Sequence, residues 1–103
     1  MKDGVHLGPA PAEGAHRGFR HGDRYLLVAR LGGTLYCIDD WCNHAGCLLS
    51  EGALDGEVIV CPCHDGRFRV RDGANVTEVR LCADQATHPV TERDGEVYLL
   101  GDT

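Results

Sequence analysis

Two short clusters of cysteine and histidine constrain this chain more than any other feature. The first is Cys42-Asn43-His44 and the second is Cys61-Pro62-Cys63-His64, with sixteen residues between His44 and Cys61. Each group offers one thiolate and one imidazole from a turn, a ligand set for zinc or iron. Pro62 stiffens the second turn by fixing its φ. Gly46 and Gly66 follow the histidines closely. Glycine there is expected to permit positive φ and close approach of backbone N–H groups to a ligand. Six cysteines in 103 residues leave two readings, a disulfide scaffold or a metal site. The N-terminal Met1–Gly8 carries no apolar segment of a secretory signal, which favours the metal.

The scaffold reads as β-structure. The segment Met1–Gly14 suggests a strand followed by a loop, and a short strand is expected over Ala15–Arg20, turned by His21-Gly22-Asp23. Arg24–Leu31 and Thr34–Ile38 flank Gly32-Gly33, the pattern of a hairpin. Glu57–Cys61 reads as a short buried strand that delivers the chain to the second cluster. Arg67–Arg71 alternates charged and apolar residues, the period of a half-exposed strand, and Asp72-Gly73 turns it. Thr87–Arg93 and Glu96–Leu100 form a second hairpin about Asp94-Gly95, while Val76–Ala86 has no clear pattern. No long helical periodicity, repeat or linker is present. The expectation is one all-β domain over residues 1–103, a sandwich or barrel-like architecture.

Arrangement separates zinc from iron. A zinc finger usually pairs Cys with Cys and His with His, with a helix carrying the histidines. Here each loop has one of each and no helix is expected. In a Rieske centre two cysteines hold one iron and two histidines hold the other, which suits two equivalent loops. The run from Cys42 to Gly52, Cys-Asn-His-Ala-Gly-Cys-Leu-Leu-Ser-Glu-Gly, resembles the first cluster-binding loop of Rieske [2Fe–2S] proteins. Cys-Pro-Cys-His-Asp-Gly-Arg-Phe, from Cys61 to Phe68, resembles the second. The likeness extends from Val5 to Leu100.

The resemblance implies a fold of three antiparallel sheets capped by two loops, over residues 40–52 and 61–68. It implies one [2Fe–2S] cluster per chain, with Cys42 and Cys61 on the buried iron and His44 and His64 on the outer iron. It also implies a disulfide between Cys47 and Cys63, because cytochrome bc-type Rieske proteins join the matching positions. The functional expectation is a soluble ferredoxin that takes electrons from a reductase, a flavoprotein, and passes them to a terminal oxygenase or similar oxidoreductase. Such a carrier is not itself an enzyme. The alternatives are a small iron–sulfur subunit of a larger oxidoreductase, a redox-sensing module and a structural zinc domain.

The chain departs from the bc-type pattern at four places. A serine and a tyrosine that donate to sulfur there are replaced by Gly66 and Phe68. Hydrogen bonds to sulfur raise the potential by stabilising the more negative reduced state, so their loss predicts a potential toward the bottom of the range of about −150 to +300 mV. Asp65 stands where many members have glycine. The stretch Val79–Ala86 lacks the proline that often closes the third side of the cluster.

The other residues carry blander expectations. His6, His16, His21 and His88 are given no role. Cys37 reads as buried core, and Cys82 as core or a mobile thiol. Tyr25, Tyr36, Trp41 and Tyr98 read as core or edge aromatics, with Trp41 placed to shield the cluster from water. Arg67, Arg69 and Arg71 form either a solvated face or a docking patch for an acidic flavoprotein. The net charge of −6 argues against nucleic-acid binding. No apolar run is long enough to span a bilayer, so the expected location is the cytoplasm.

Overall fold

The structure, a computed structural model, describes residues 4–42, 47–63, 66–77 and 84–100. These residues form ten strands in three antiparallel sheets with a single 3₁₀ turn, in agreement with the expected all-β fold.

The central sheet has the order β2-β3-β4-β8. Its strands are β2 (His16–His21), β3 (Arg24–Leu31), β4 (Thr34–Asp39) and β8 (Thr87–His88). The β3–β4 hairpin turns at Gly32-Gly33, where φ is 61° and 83°. Two consecutive positive φ values match the right-handed twist of the flanking strands, and glycine adopts them without strain. In β3, Leu26, Leu27, Val28 and Ala29 are all fully buried. An uninterrupted apolar run is what a strand needs when both faces of its sheet are covered.

The two faces build separate cores. Leu27 and Ala29 pack with Ile38, Leu49, Ile59, Phe68 and Val70, and with Cys42 and Cys61. Leu26 and Val28 pack with Cys37, Val97 and Leu99. The second core is closed by a sheet of order β1-β10-β9, comprising β1 (Val5–Pro9), β9 (Val90–Arg93) and β10 (Glu96–Leu99). The first core is closed by a small sheet of β5 (Ala53–Asp55), β6 (Val58–Val60) and β7 (Arg67–Arg69).

Three features differ from the sequence expectation. The run Thr87–Arg93 is split at Pro89, so β8 pairs with β4 while β9 pairs with β10. Proline has no N–H to continue a ladder, and the chain changes sheets there. Strand β5 lies within a stretch that carries little strand signal of its own and forms because β6 pairs with it through Ala53–Val60, Leu54–Ile59 and Asp55–Val58. The arginine strand is shorter than expected, ending at Arg69, because Val70 and Gly73 turn into the loop that follows.

Candidate metal centre

The small sheet and the central sheet together present two loops at one end of the first core. The first loop leaves β4 through Asp40, Trp41 and Cys42 and returns at Cys47. The second leaves β6 at Cys61 and returns at Gly66. Both are closed in the same way. The Cys42 N–H donates to the Cys47 carbonyl at 2.7 Å, and the Cys61 N–H donates to the Gly66 carbonyl at 2.7 Å. In each, a cysteine N–H reaches the carbonyl five residues on, so the two cysteines hold equivalent places at the mouths of their loops.

Cys42 and Cys61 are 1% and 0% exposed, lie in the same core and take part in no disulfide. The other two loop cysteines, Cys47 and Cys63, are joined by a disulfide across a Cα–Cα distance of 6.5 Å. That bond ties the loops together, as the resemblance implies. The donor set therefore divides into two buried thiols and one crosslink. Two buried thiols in one apolar core suit a soft metal centre, because thiolate charge there is stabilised by coordination. The expected outer ligands His44 and His64 lie outside the described residues, as do Gly46, Asp65 and Cys82.

Several side chains that the sequence reading passed over hold the first loop at its base. Asp40 is 2% exposed. Its carboxylate accepts the Ser50 backbone N–H at 2.6 Å and the Ser50 hydroxyl at 2.5 Å. Burial pushes its pKa up, and the two bonds from Ser50 oppose that shift. The carbonyl of Asp40 also accepts the Leu49 N–H at 2.7 Å. One residue thus pins the far end of the loop to its start. His16, expected to have no role, donates its Nε2–H to the Ser50 carbonyl, 2.9 Å away, on the same network.

On the opposite side sits Gln85, 2% exposed. Its side-chain amide donates to the Asp39 and Trp41 carbonyls, both at 2.8 Å. The signal for Asp40 and Gln85 was weak in sequence: a buried polar residue is recognised by its partners, which come from 10 and 44 to 46 residues away.

One expectation needs correction, at Gly66, and two open readings are resolved. Trp41 is 51% exposed and lies tilted against Tyr25 at a centroid distance of 5.8 Å, an edge aromatic and not a core one. Cys42 and Leu49 occupy the core beside it. Gly66 does not have positive φ. It is a close-packed site instead, where an added Cβ would lie 3.4 Å from Phe68 Cε1 and 3.6 Å from Cys61 Cβ. The three arginines of the β7 region are each matched with an acid. Arg69 bonds Asp72 at 2.9 Å, Arg71 bonds Glu57 at 3.1 Å and Arg67 lies 3.9 Å from Asp55. That favours the solvated face over the docking patch.

Phe68 is fully buried, as its place in the core requires. Cys37 is 3% exposed and belongs to the other core, away from the loops. Burial, reinforced by Asp39 and opposed by Arg24, pushes its thiol up to about 12. His88 is not idle: its Nε2 lies 2.7 Å from Asp39 Oδ1 at the end of β4.

The fold and site define a small all-β protein whose two strand-borne loops, locked by a disulfide, converge a pair of buried thiols. Residues 9–99 match the Rieske [2Fe-2S] domain model, and the chain belongs to that family. The family carries a [2Fe–2S] cluster, and the buried thiol pair fits the sulfur half of its ligand set. Ferredoxin CarAc of Metapseudomonas resinovorans is 39% identical over 83 residues, covering 81% of this chain and 77% of that protein. The ferredoxin component of the 2,4-dinitrotoluene dioxygenase system of Burkholderia sp. (strain RASC) is 37% identical over 87 residues, 84% of this chain and 80% of the relative. Among solved structures, a chain in the complex of reduced oxygenase and oxidized ferredoxin of carbazole 1,9a-dioxygenase superposes with a TM-score of 0.79 at 35% identity, covering 92% of this chain and 99% of that one. No helix among the described residues is long and apolar enough to cross a membrane.

Proposed function

We propose that this chain is a Rieske-type ferredoxin that carries single electrons from a flavoprotein reductase to a terminal oxygenase, in the cytoplasm. The observation that carries the reading is the pair of buried thiols, Cys42 and Cys61, at equivalent places in two disulfide-tied loops. When bound, the cluster supplies one-electron redox chemistry. In this proposal Cys42 and Cys61 hold its buried iron, and His44 and His64 hold the outer one. The apolar core formed by Leu49, Ile59 and Phe68 excludes water from the thiol side. Asp40, Ser50 and the Cys47–Cys63 bond keep the two loops in register. Relatives named as ferredoxin components of dioxygenase systems support the choice of partner.

A redox titration of the aerobically purified protein tests this. The expected result is a reduced-state EPR signal with average g below 2 and a midpoint near or below about −100 mV. One zinc per chain with no acid-labile sulfide would overturn it. A second reading rests on the disulfide itself. Reversible cleavage of Cys47–Cys63 at glutathione potentials, with altered partner binding, would favour a redox sensor over a plain carrier.

A further inference from the structure

Gln85 occupies a position that its neighbours in sequence do not explain. It lies near the end of the Val76–Ala86 stretch, two residues before β8, and it is 2% exposed. Its backbone N–H donates to the Gly73 carbonyl at 2.8 Å, in the turn that follows β7 and the second loop. Its side-chain amide donates at 2.8 Å to the carbonyls of both Asp39 and Trp41, which bracket the start of the first loop. The next residue adds to the same junction, since the Asp39 N–H donates to the Ala86 carbonyl at 2.9 Å. Gly73 is shaped to receive Gln85: its φ is +74°, and a Cβ there would run into the Gln85 carbonyl. One residue therefore couples the base of the first loop to the turn behind the second.

From this we infer that Gln85 is a positioning residue for the metal centre, a latch that fixes the backbone carrying Cys42. The reasoning is geometric. Trp41 and Cys42 are joined by one peptide bond, so holding the Trp41 carbonyl sets the plane from which the Cys42 thiol projects. Holding the Asp39 carbonyl with the same amide fixes the direction in which β4 hands over to the loop. The Asp40–Ser50 network holds the same segment through a different group. Between them the two clamps leave Cys42 little freedom to follow a departing metal. The latch lies in the Val79–Ala86 stretch, which has no proline, and it acts by hydrogen bonding. Partners that orient a metal ligand act on affinity and on the electronic structure of the centre.

The inference rests on Cys42 being a ligand, and the test separates the two. Gln85→Leu removes both donors at similar size, and Gln85→Glu replaces them with a carboxylate facing two carbonyl oxygens. Val97→Ala, in the core on the other side of the central sheet, serves as a control for general destabilisation. In the holoprotein, cluster bleaching in the presence of chelator, the g-values and midpoint of the reduced state, and amide hydrogen exchange across residues 39–42 are compared. Both Gln85 variants are expected to bleach about tenfold faster than the parent, the scale seen when a ligand-orienting partner is lost. They are also expected to shift the g-values and to exchange faster across 39–42. Val97→Ala is expected to lower the melting temperature without these changes. Bleaching, g-values and exchange in Gln85→Leu that match Val97→Ala at equal loss of melting temperature would overturn the assignment. A parent protein without a Rieske-type signal would instead overturn the ligand reading, and the exchange data would still decide whether Gln85 holds the loop.

Discussion

Replacing Gly66 with serine is expected to raise the reduction potential. Gly66 has no side chain where bc-type proteins carry a hydroxyl donor, yet its backbone is in a region open to any L-residue. An added Cβ would sit 3.6 Å from Cys61 Cβ and 3.4 Å from Phe68 Cε1, ordinary contact distances, so the substitution needs no rearrangement. A serine hydroxyl and the Cys61 sulfur would then project from neighbouring Cβ atoms at a spacing suited to an O–H···S contact. A hydrogen bond to a charged acceptor is worth about 1.5–3 kcal/mol, and only the part that differs between oxidised and reduced states moves the potential. If roughly half is differential, about 0.75–1.5 kcal/mol, the one-electron conversion gives a rise of about 30–65 mV. The assay is a dye-mediated optical titration of parent, Gly66→Ser and Gly66→Ala. The alanine variant supplies the Cβ without the donor and is expected to stay near the parent. A serine variant that matches the alanine variant, with its EPR signal intact, would refute the argument that the missing donor sets a low potential.

Other consequences follow from the same structure. Cys47→Ser or Cys63→Ser removes a crosslink with a sequence separation of 16 and is expected to cost about 3 kcal/mol in denaturant unfolding under argon. Gly73→Ala forces a side chain into positive φ and against the Gln85 carbonyl, and is expected to destabilise by about 1–3 kcal/mol, read as a fall in the urea midpoint. Cys37 titrates at about 12 in the fold against 9.0 as a free thiol. The unfolded chain therefore gives up this proton first, and stability that is intact below pH 9.0 is lost as the pH climbs toward 12. At pH 10.5 the loss from this group is about 2 kcal/mol, which Cys37→Val is expected to remove when urea stabilities at pH 8 and 10.5 are compared.

Much of the scaffold was legible in the chain because its signals are local. Gly32-Gly33 and Asp94-Gly95 between β-rich runs mark hairpins, and both are found, with φ of 61° and 83° at the first and 54° and 80° at the second. Turn chemistry of this kind depends on two residues and needs no tertiary partner. The spacing of the Cys and His clusters likewise named the chemistry, since thiolate and imidazole from paired turns admit few metals.

What sequence alone could not decide involves residues whose meaning lies in distant partners. Asp40 and Gln85 carry no signal of their own in the sequence. Folding buries each to 2% exposure and turns them into the clamps on either side of Cys42. Trp41 reads as a core or an edge aromatic, and only the fold leaves it half exposed against Tyr25. The arginines of the β7 region read as a basic face, and only the approach of Asp55, Glu57 and Asp72 matched them with acids. The sequence by itself determined the chain's family and where the chain turns, because those depend on chemistry at single positions and short spacings. The tertiary structure decided which polar groups support the site and which surface it shows, because burial and pairing exist only once the three sheets have closed.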